Sequence, residues 1–246
     1  MKYNEVYDEI IKALDSGTPW LLNRLGDGEL LVMADIKRTY VARRQWGLVP
    51  PKEEYDKIAE QLKDSYLDCN VIGIPTKYHI ENCGSHWARA YEYLVEQRPQ
   101  VKDIKTTSID VHTELLESGL LFELLHNQDE LIYTSGRNLD EQFRKTFNIK
   151  KIDSFITNAE QMFEERKAQG HWPYQYKMCM EWINRTDVAG KLCLVGNGIL
   201  GKAYACELKR HKGIVLDIGS VYDKLAGKLT RGKGRGATAV HDKYKL

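Results

Sequence analysis

The chain has 246 residues with 36 Lys+Arg against 35 Asp+Glu, a formal net charge of +1 that excludes any global electrostatic argument for nucleic-acid or membrane binding. Its length allows a substantial core, and no apolar run approaches the roughly 20 residues of a membrane-spanning helix. Five cysteines, odd in number and without a CxxC pair, exclude a disulfide framework or structural zinc site and suit a reducing, cytoplasmic setting, as does an N-terminus without a signal-peptide pattern.

Tyr3, Val6, Tyr7, Ile10, Ile11 and Leu14 fall on one stripe and predict an amphipathic helix. A strand over Trp20–Leu25 follows, then the acidic turn Gly26-Asp27-Gly28-Glu29 and a helix beginning at Leu30. Lys37 to Trp46 reads as a polar stretch without assigned structure. Tyr55, Ile58, Ala59, Leu62 and Tyr66 mark a second helix, Val71–Ile74 a strand, and Trp87–Val95 another helix. Lys105–Ile109 is a strand, with one helix over Val111–Leu125 after it. Leu131–Thr134 is a strand leading through Ser135–Asn138 to a helix marked by Leu139, Phe143 and Phe147. Ile152–Ile156 and the helix Ala159–Lys167 come next, and His171-Trp172-Pro173-Tyr174 is the softest boundary along the chain. The last unit runs from strand Lys191–Val195 through Gly196-Asn197-Gly198-Ile199-Leu200-Gly201 into a helix to Arg210, then the strand at Ile214–Gly219. Short apolar strands alternating with helices predict an α/β fold: a single layered α/β/α domain over residues 1–246 with a mostly parallel, Rossmann-like sheet.

In such a sheet ligands bind outside the carboxyl ends of the strands. Four loops compete for that place: Gly26–Glu29, Pro75–His79, Ser135–Asn138 and Gly196–Gly201. Asp27 and Glu29 are hard oxygen ligands suited to a divalent cation, and Arg24 adds a phosphate-pairing guanidinium. Asp27 capping the next helix, with Glu29 in its first turn, accounts for the same pair without a ligand. The spacing of Gly196, Gly198 and Gly201 lets backbone approach a diphosphate at a helix start, and Asp217 stands where an acid can meet ribose hydroxyls. An NAD(P)-dependent oxidoreductase on that turn is the rival reading. Too little chain follows Gly201 for the rest of a dehydrogenase, and the acidic turn would have no task in one.

Arg24-Leu25-Gly26-Asp27-Gly28-Glu29 resembles the signature of the GT-D-type glycosyltransferases, whose Asp-x-Glu motif is associated with metal and nucleotide-sugar binding. Thr157-Asn158-Ala159-Glu160 is similar to that family's Asn-Ala segment after a central strand. Gly196-Asn197-Gly198 through Leu216-Asp217-Ile218-Gly219 is similar to its C-terminal strand–turn–helix–strand. The ending Ser220-Val221-Tyr222-Asp223 departs from the pattern, in which a histidine follows Asp-Ile-Gly. The resemblance implies a metal-dependent glycosyltransferase that moves a sugar from a nucleotide-diphospho-sugar, expected to be a UDP-sugar, to a hydroxyl acceptor. It implies Mn²⁺ or Mg²⁺ at Asp27 and Glu29, with Arg24, Gly26, Gly196, Asn197, Gly198 and Asp217 around the nucleotide and diphosphate.

Stabilising the leaving diphosphate also calls on Arg137 or Arg231. The base for the acceptor hydroxyl stays open among His79, Asp110 and His112. Trp46, Trp87, Trp172 and Trp182 read as packing residues. The glycine-spaced basic run Lys228–Gly236 is a loop, a phosphate-binding flap or a contact for an anionic acceptor. Glycan, protein and modified DNA all remain open as acceptors.

Overall fold

The structure, a computed structural model, describes residues 1–158, 170–227 and 245–246. Strands β1 (Trp20–Arg24), β2 (Val71–Ile74), β3 (Lys105–Ser108), β4 (Glu130–Ser135), β5 (Lys151–Ile156), β6 (Leu192–Gly196) and β7 (Ile214–Asp217) form one sheet. Their order is β3-β2-β1-β7-β6-β4-β5, and every pairing is parallel. In chain order the helices are α1 (Tyr3–Ser16), α2 (Asp27–Met33), α3 (Arg38–Trp46), α4 (Lys52–Asp64), α5 (Lys77–Asn82) and α6 (Ser85–Gln97). They continue with α7 (Val111–Glu117), α8 (Leu120–His126), α9 (Asp140–Phe147), α10 (Tyr176–Arg185), α11 (Gly201–Arg210) and α12 (Val221–Leu225).

A parallel sheet covered on both faces needs apolar side chains on both, which is why its strands read as continuous apolar runs. The period-2 alternation then deals each strand between two cores. Leu21, Ile72, Ile132, Cys193 and Val215 face a layer supplied by α2, α3, α4, α6, α10 and α11. Trp20, Leu22, Val71, Leu131, Tyr133, Leu194 and Leu216 face the layer of α1, α7, α8, α9 and α12. The two edge strands are the polar ones, β3 with Lys105-Thr106-Thr107-Ser108 and β5 with its exposed Lys151.

Three details differ from the sequence reading. The polar stretch at 37–46 is α3, because Val41, Ala42 and Trp46 bury one side despite four cations on the others. The single helix over 111–125 is two, α7 and α8, broken at Gly119, whose φ of +85° no helix accepts. His171 is no soft boundary: it is buried with Nε2 2.8 Å from the Tyr204 hydroxyl. The helix expected over 159–167 lies outside the described residues. Among the described residues, no helix is long and apolar enough to cross a membrane.

Candidate active site

All seven strands end on one cavity of about 370 Å³. The end of β1 contributes Arg24 and the start of α2 contributes Asp27 and Glu29, and β2 leads to His79. Residues after β3 supply Asp110 and His112, and those after β4 supply Gly136 and Arg137. Thr157 and Asn158 follow β5, Gly196–Ile199 follow β6, and Asp217 ends β7. Residues from one end of the sequence to the other meet here because parallel strands present all their carboxyl ends on the same side.

The floor is a buried charge network. Arg24 donates its backbone N–H to Asp217 Oδ2 at 3.2 Å, Nη2 to Oδ1 at 3.3 Å, and Nε to the Asp217 carbonyl at 3.1 Å. Lys202, on α11, donates Nζ to Asp217 Oδ2 at 2.7 Å and lies 3.1 Å from Glu29 Oε1. Burial alone would push the Asp217 carboxyl up, but Arg24 and Lys202 outweigh it and hold it well below the usual carboxylate range. Burial likewise disfavours the Lys202 ammonium, and Asp217 and Glu29 more than restore it, so its pKa is raised. Arg24 Nη1 donates to the His112 ring, 2.9 Å from Nε2, and a donor-only guanidinium requires a lone pair there.

Two glycines make room for this network. A Cβ on Gly219, whose φ is +45°, would run into the Arg24 guanidinium. A Cβ on Gly196 would run into the Tyr222 ring, so packing of α12 by itself requires the first glycine of the turn.

Glu29 is both cap and network member: Oε2 accepts the Gly26 N–H at 3.0 Å while Oε1 faces Lys202. Asp27 is exposed at the cavity wall and accepts the Gly28 N–H at 2.9 Å. Among the described residues, no cluster of three or more His, Cys, Asp or Glu side chains forms a complete metal cage. The donor set still fits Mn²⁺ or Mg²⁺, which is commonly held by one or two carboxylates plus substrate phosphates. Asp27 fits that role from the cavity wall, and Glu29 fits it by sharing Oε1 with Lys202.

On the β2–β3 side, His79 and Asp110 come together. Thr76 Oγ1 and His79 Nδ1 share a hydrogen bond of 2.8 Å, and His79 Nε2 stands 3.5 Å from Asp110 Oδ2. The His79 ring lies against Trp87 at 4.8 Å between centroids, so Trp87 is a wall of the cavity and not merely packing. Trp46 is core, whereas Trp172 and Trp182 bond to Glu54 and Asp153 away from it.

On the β6–β4–β5 side, Asn197 donates Nδ2 to Thr157 Oγ1 at 2.8 Å, and the Asn158 N–H donates to Gln175 Oε1 at 2.7 Å. Arg137 pairs with Asp223 at 2.9 Å. Asp217, expected to meet ribose hydroxyls, instead has both oxygens engaged by Arg24 and Lys202. Arg231 and the basic run 228–236 lie outside the described residues, as do Ala159 and Glu160. The sequence reading missed Lys202, Thr76 and His171. Lys202 alone left a signal, a lysine on the buried stripe of α11 with Ala205 and Cys206.

A family model described as the GT-D fold-like domain matches residues 1–225. A solved structure of the highly conserved domain of unknown function 1792, described as having a distinct glycosyltransferase fold, is similar with a TM-score of 0.57 at 14% identity, covering 100% of this chain and 89% of that one. A glycosyltransferase (DUF1792) from Streptococcus sanguinis is similar with a TM-score of 0.55 at 14% identity, covering 100% of this chain and 92% of that one. No curated protein matches the chain significantly in sequence. At such identities the structures speak for the fold, and the family model speaks for descent. The strand–turn–helix–strand around Gly196 is thus part of this fold and not of a dehydrogenase. Matched from residue 1 to residue 225, the chain belongs to the GT-D fold-like family, the glycosyltransferase family its sequence resembles.

Proposed function

We propose that this GT-D-like glycosyltransferase moves a sugar from a nucleotide-diphospho-sugar, a UDP-sugar by preference, to an acceptor hydroxyl. The observation that carries the reading is the division of one cavity into three chemically distinct thirds along the sheet. The amide and hydroxyl groups of Asn197, Thr157 and Asn158 lie over β6 and β5, with the Arg137–Asp223 ion pair after β4 beside them. The charged network lies over β1 and β7, and the His79–Asp110 pair over β2 and β3. From β6 to β3 the sheet order counts four spacings, about 19 Å at 4.8 Å each, room for an elongated donor laid across the strand ends.

In this arrangement the nucleoside lies toward Asn197 and the diphosphate over Arg24 and Lys202. A divalent cation at Asp27 supplies charge stabilisation of the departing diphosphate. The acceptor oxygen bonds to the anomeric carbon as the carbon–oxygen bond to the diphosphate breaks, and the leaving electron pair stays on the nucleoside diphosphate. Asp110 takes the hydroxyl proton, and His79, clamped by Thr76 and Trp87, orients the Asp110 carboxylate. Asp110 suits the task better than His112, whose ring already answers Arg24.

Replacing Asp110 with asparagine is expected to lower kcat by about 10²–10⁴-fold with little change in donor KM. Asp27→Ala is expected to abolish transfer with the fold intact, and excess chelator to do the same to the wild type. Wild-type turnover by either variant in a nucleotide-release assay contradicts the role given to that residue.

A further inference from the structure

Lys202 is the cation of the site that no motif announced, and it is placed as no surface lysine would be. Its side chain is 4% exposed, with Nζ 2.7 Å from Asp217 Oδ2 and 3.1 Å from Glu29 Oε1. An ammonium and a hard divalent cation ask the same thing of a carboxylate oxygen, so the two compete for Glu29 Oε1. They do not compete for Asp217, whose other oxygen and backbone belong to Arg24. That second partner matters: Lys202 can yield Glu29 without becoming an unpaired buried charge.

We propose that Lys202 is a positioning residue that guards Glu29 against divalent metal until the donor diphosphate arrives, an inference that rests on the nucleotide-sugar reading above. Within the network two cations, Arg24 and Lys202, face two carboxylates, Glu29 and Asp217. A metal ion alone meets the Lys202 ammonium, and a diphosphate alone meets the carboxylates of Asp27 and Glu29. Together they relieve both conflicts, since phosphate oxygens give Lys202 new acceptors and leave Glu29 Oε1 to the metal. Metal and diphosphate therefore bind with positive coupling, which by linkage is the same from either side. Holding the metal back until the donor is present ties assembly of the site to its substrate.

The test is Mn²⁺ binding, read by titration calorimetry and by the electron paramagnetic resonance signal of free Mn²⁺, with and without UDP. Wild type, K202M and K202R are compared as full chains. Wild type is expected to bind Mn²⁺ roughly tenfold or more tightly with UDP than without it. K202M, close in shape but uncharged, is expected to bind Mn²⁺ alone roughly tenfold more tightly than wild type and to lose most of the UDP coupling. K202R keeps the charge and should stay close to wild type. Near-UV circular dichroism checks folding, and K202Q, which keeps a neutral hydrogen-bond donor there, replaces K202M if that variant does not fold. Loss of a merely structural ion pair does not tighten metal binding, so K202M binding Mn²⁺ no better than wild type overturns the guard role. Absence of Mn²⁺ uptake by wild type even with UDP overturns the metal reading itself, and the guard role with it.

Discussion

Asp217 holds Arg24 and Lys202 in place at once, with one carboxylate oxygen toward each. Removing its charge leaves Arg24 without its carboxylate and Lys202 with Glu29 alone, and breaking a buried pair from one side typically costs about 3–5 kcal/mol. D217N is therefore expected to lower stability to urea by that order and to weaken nucleotide binding together with it. Unfolding at the wild-type urea midpoint would show that the network is dispensable. Because the folded pKa of Asp217 is depressed, its contribution is present above the unfolded value, about 3.9, and is lost as pH falls below it.

His171 sets a second pH window. Burial lowers its pKa from 6.5 to about 4, so the unfolded chain binds a proton there that the folded protein refuses. A depressed folded pKa means that stability is full above pH 6.5 and falls as pH drops from 6.5 toward about 4. The difference amounts to roughly 3 kcal/mol at 1.36 kcal/mol per pH unit. Urea midpoints measured across that range should decline for the wild type and flatten for His171→Phe. An equal decline in both would assign the pH dependence to other groups. Neither residue's role was legible from its surroundings in the sequence, since Arg24 and Asp217 are 193 positions apart and His171 and Tyr204 are 33 apart.

The elements themselves were legible where burial is two-sided. β1, β2, β6 and β7 are apolar runs stopped by glycine, proline or a polar residue, and their limits fall within two residues of the expected ones. α3 was not, because a short helix at the rim buries only Val41, Ala42 and Trp46 and spends its other positions on arginine and other polar residues. The turn after β6 was found for one reason and exists partly for another. Its glycine spacing suggested diphosphate approach, while Gly196 is required by the Tyr222 ring of α12. Gly196→Ala should accordingly cost about 1–3 kcal/mol as an overpacking change, read from thermal unfolding. Wild-type stability in that variant would mean that Tyr222 moves aside freely.

At the scale of the molecule, three layers and a parallel sheet followed from the alternation of strands and helices, but the strand order did not. Apolar pattern fixes which face a residue occupies and leaves open which strand lies beside it, so the place of β7 between β1 and β6 had to come from the structure. That placement gives the Asp-x-Glu turn its meaning, since it brings Asp217 and, from the helix between β6 and β7, Lys202 against Arg24 and Glu29. The resemblance named the charged middle of the site and its Asn197 side from the sequence. The β2–β3 end of the cavity, where His79 and Asp110 meet, was legible only as a set of candidates, because a base is chosen by geometry.

The claim on which the rest depends is that a nucleotide diphosphate and a divalent metal bind together across these strand ends. A crystal soaked with UDP and Mn²⁺, with data collected at the manganese edge, tests it directly. The account predicts an anomalous peak beside Asp27, diphosphate density over Arg24 and Lys202, and the base toward Asn197 and Thr157. A manganese peak elsewhere, or UDP bound outside this cavity, would contradict it.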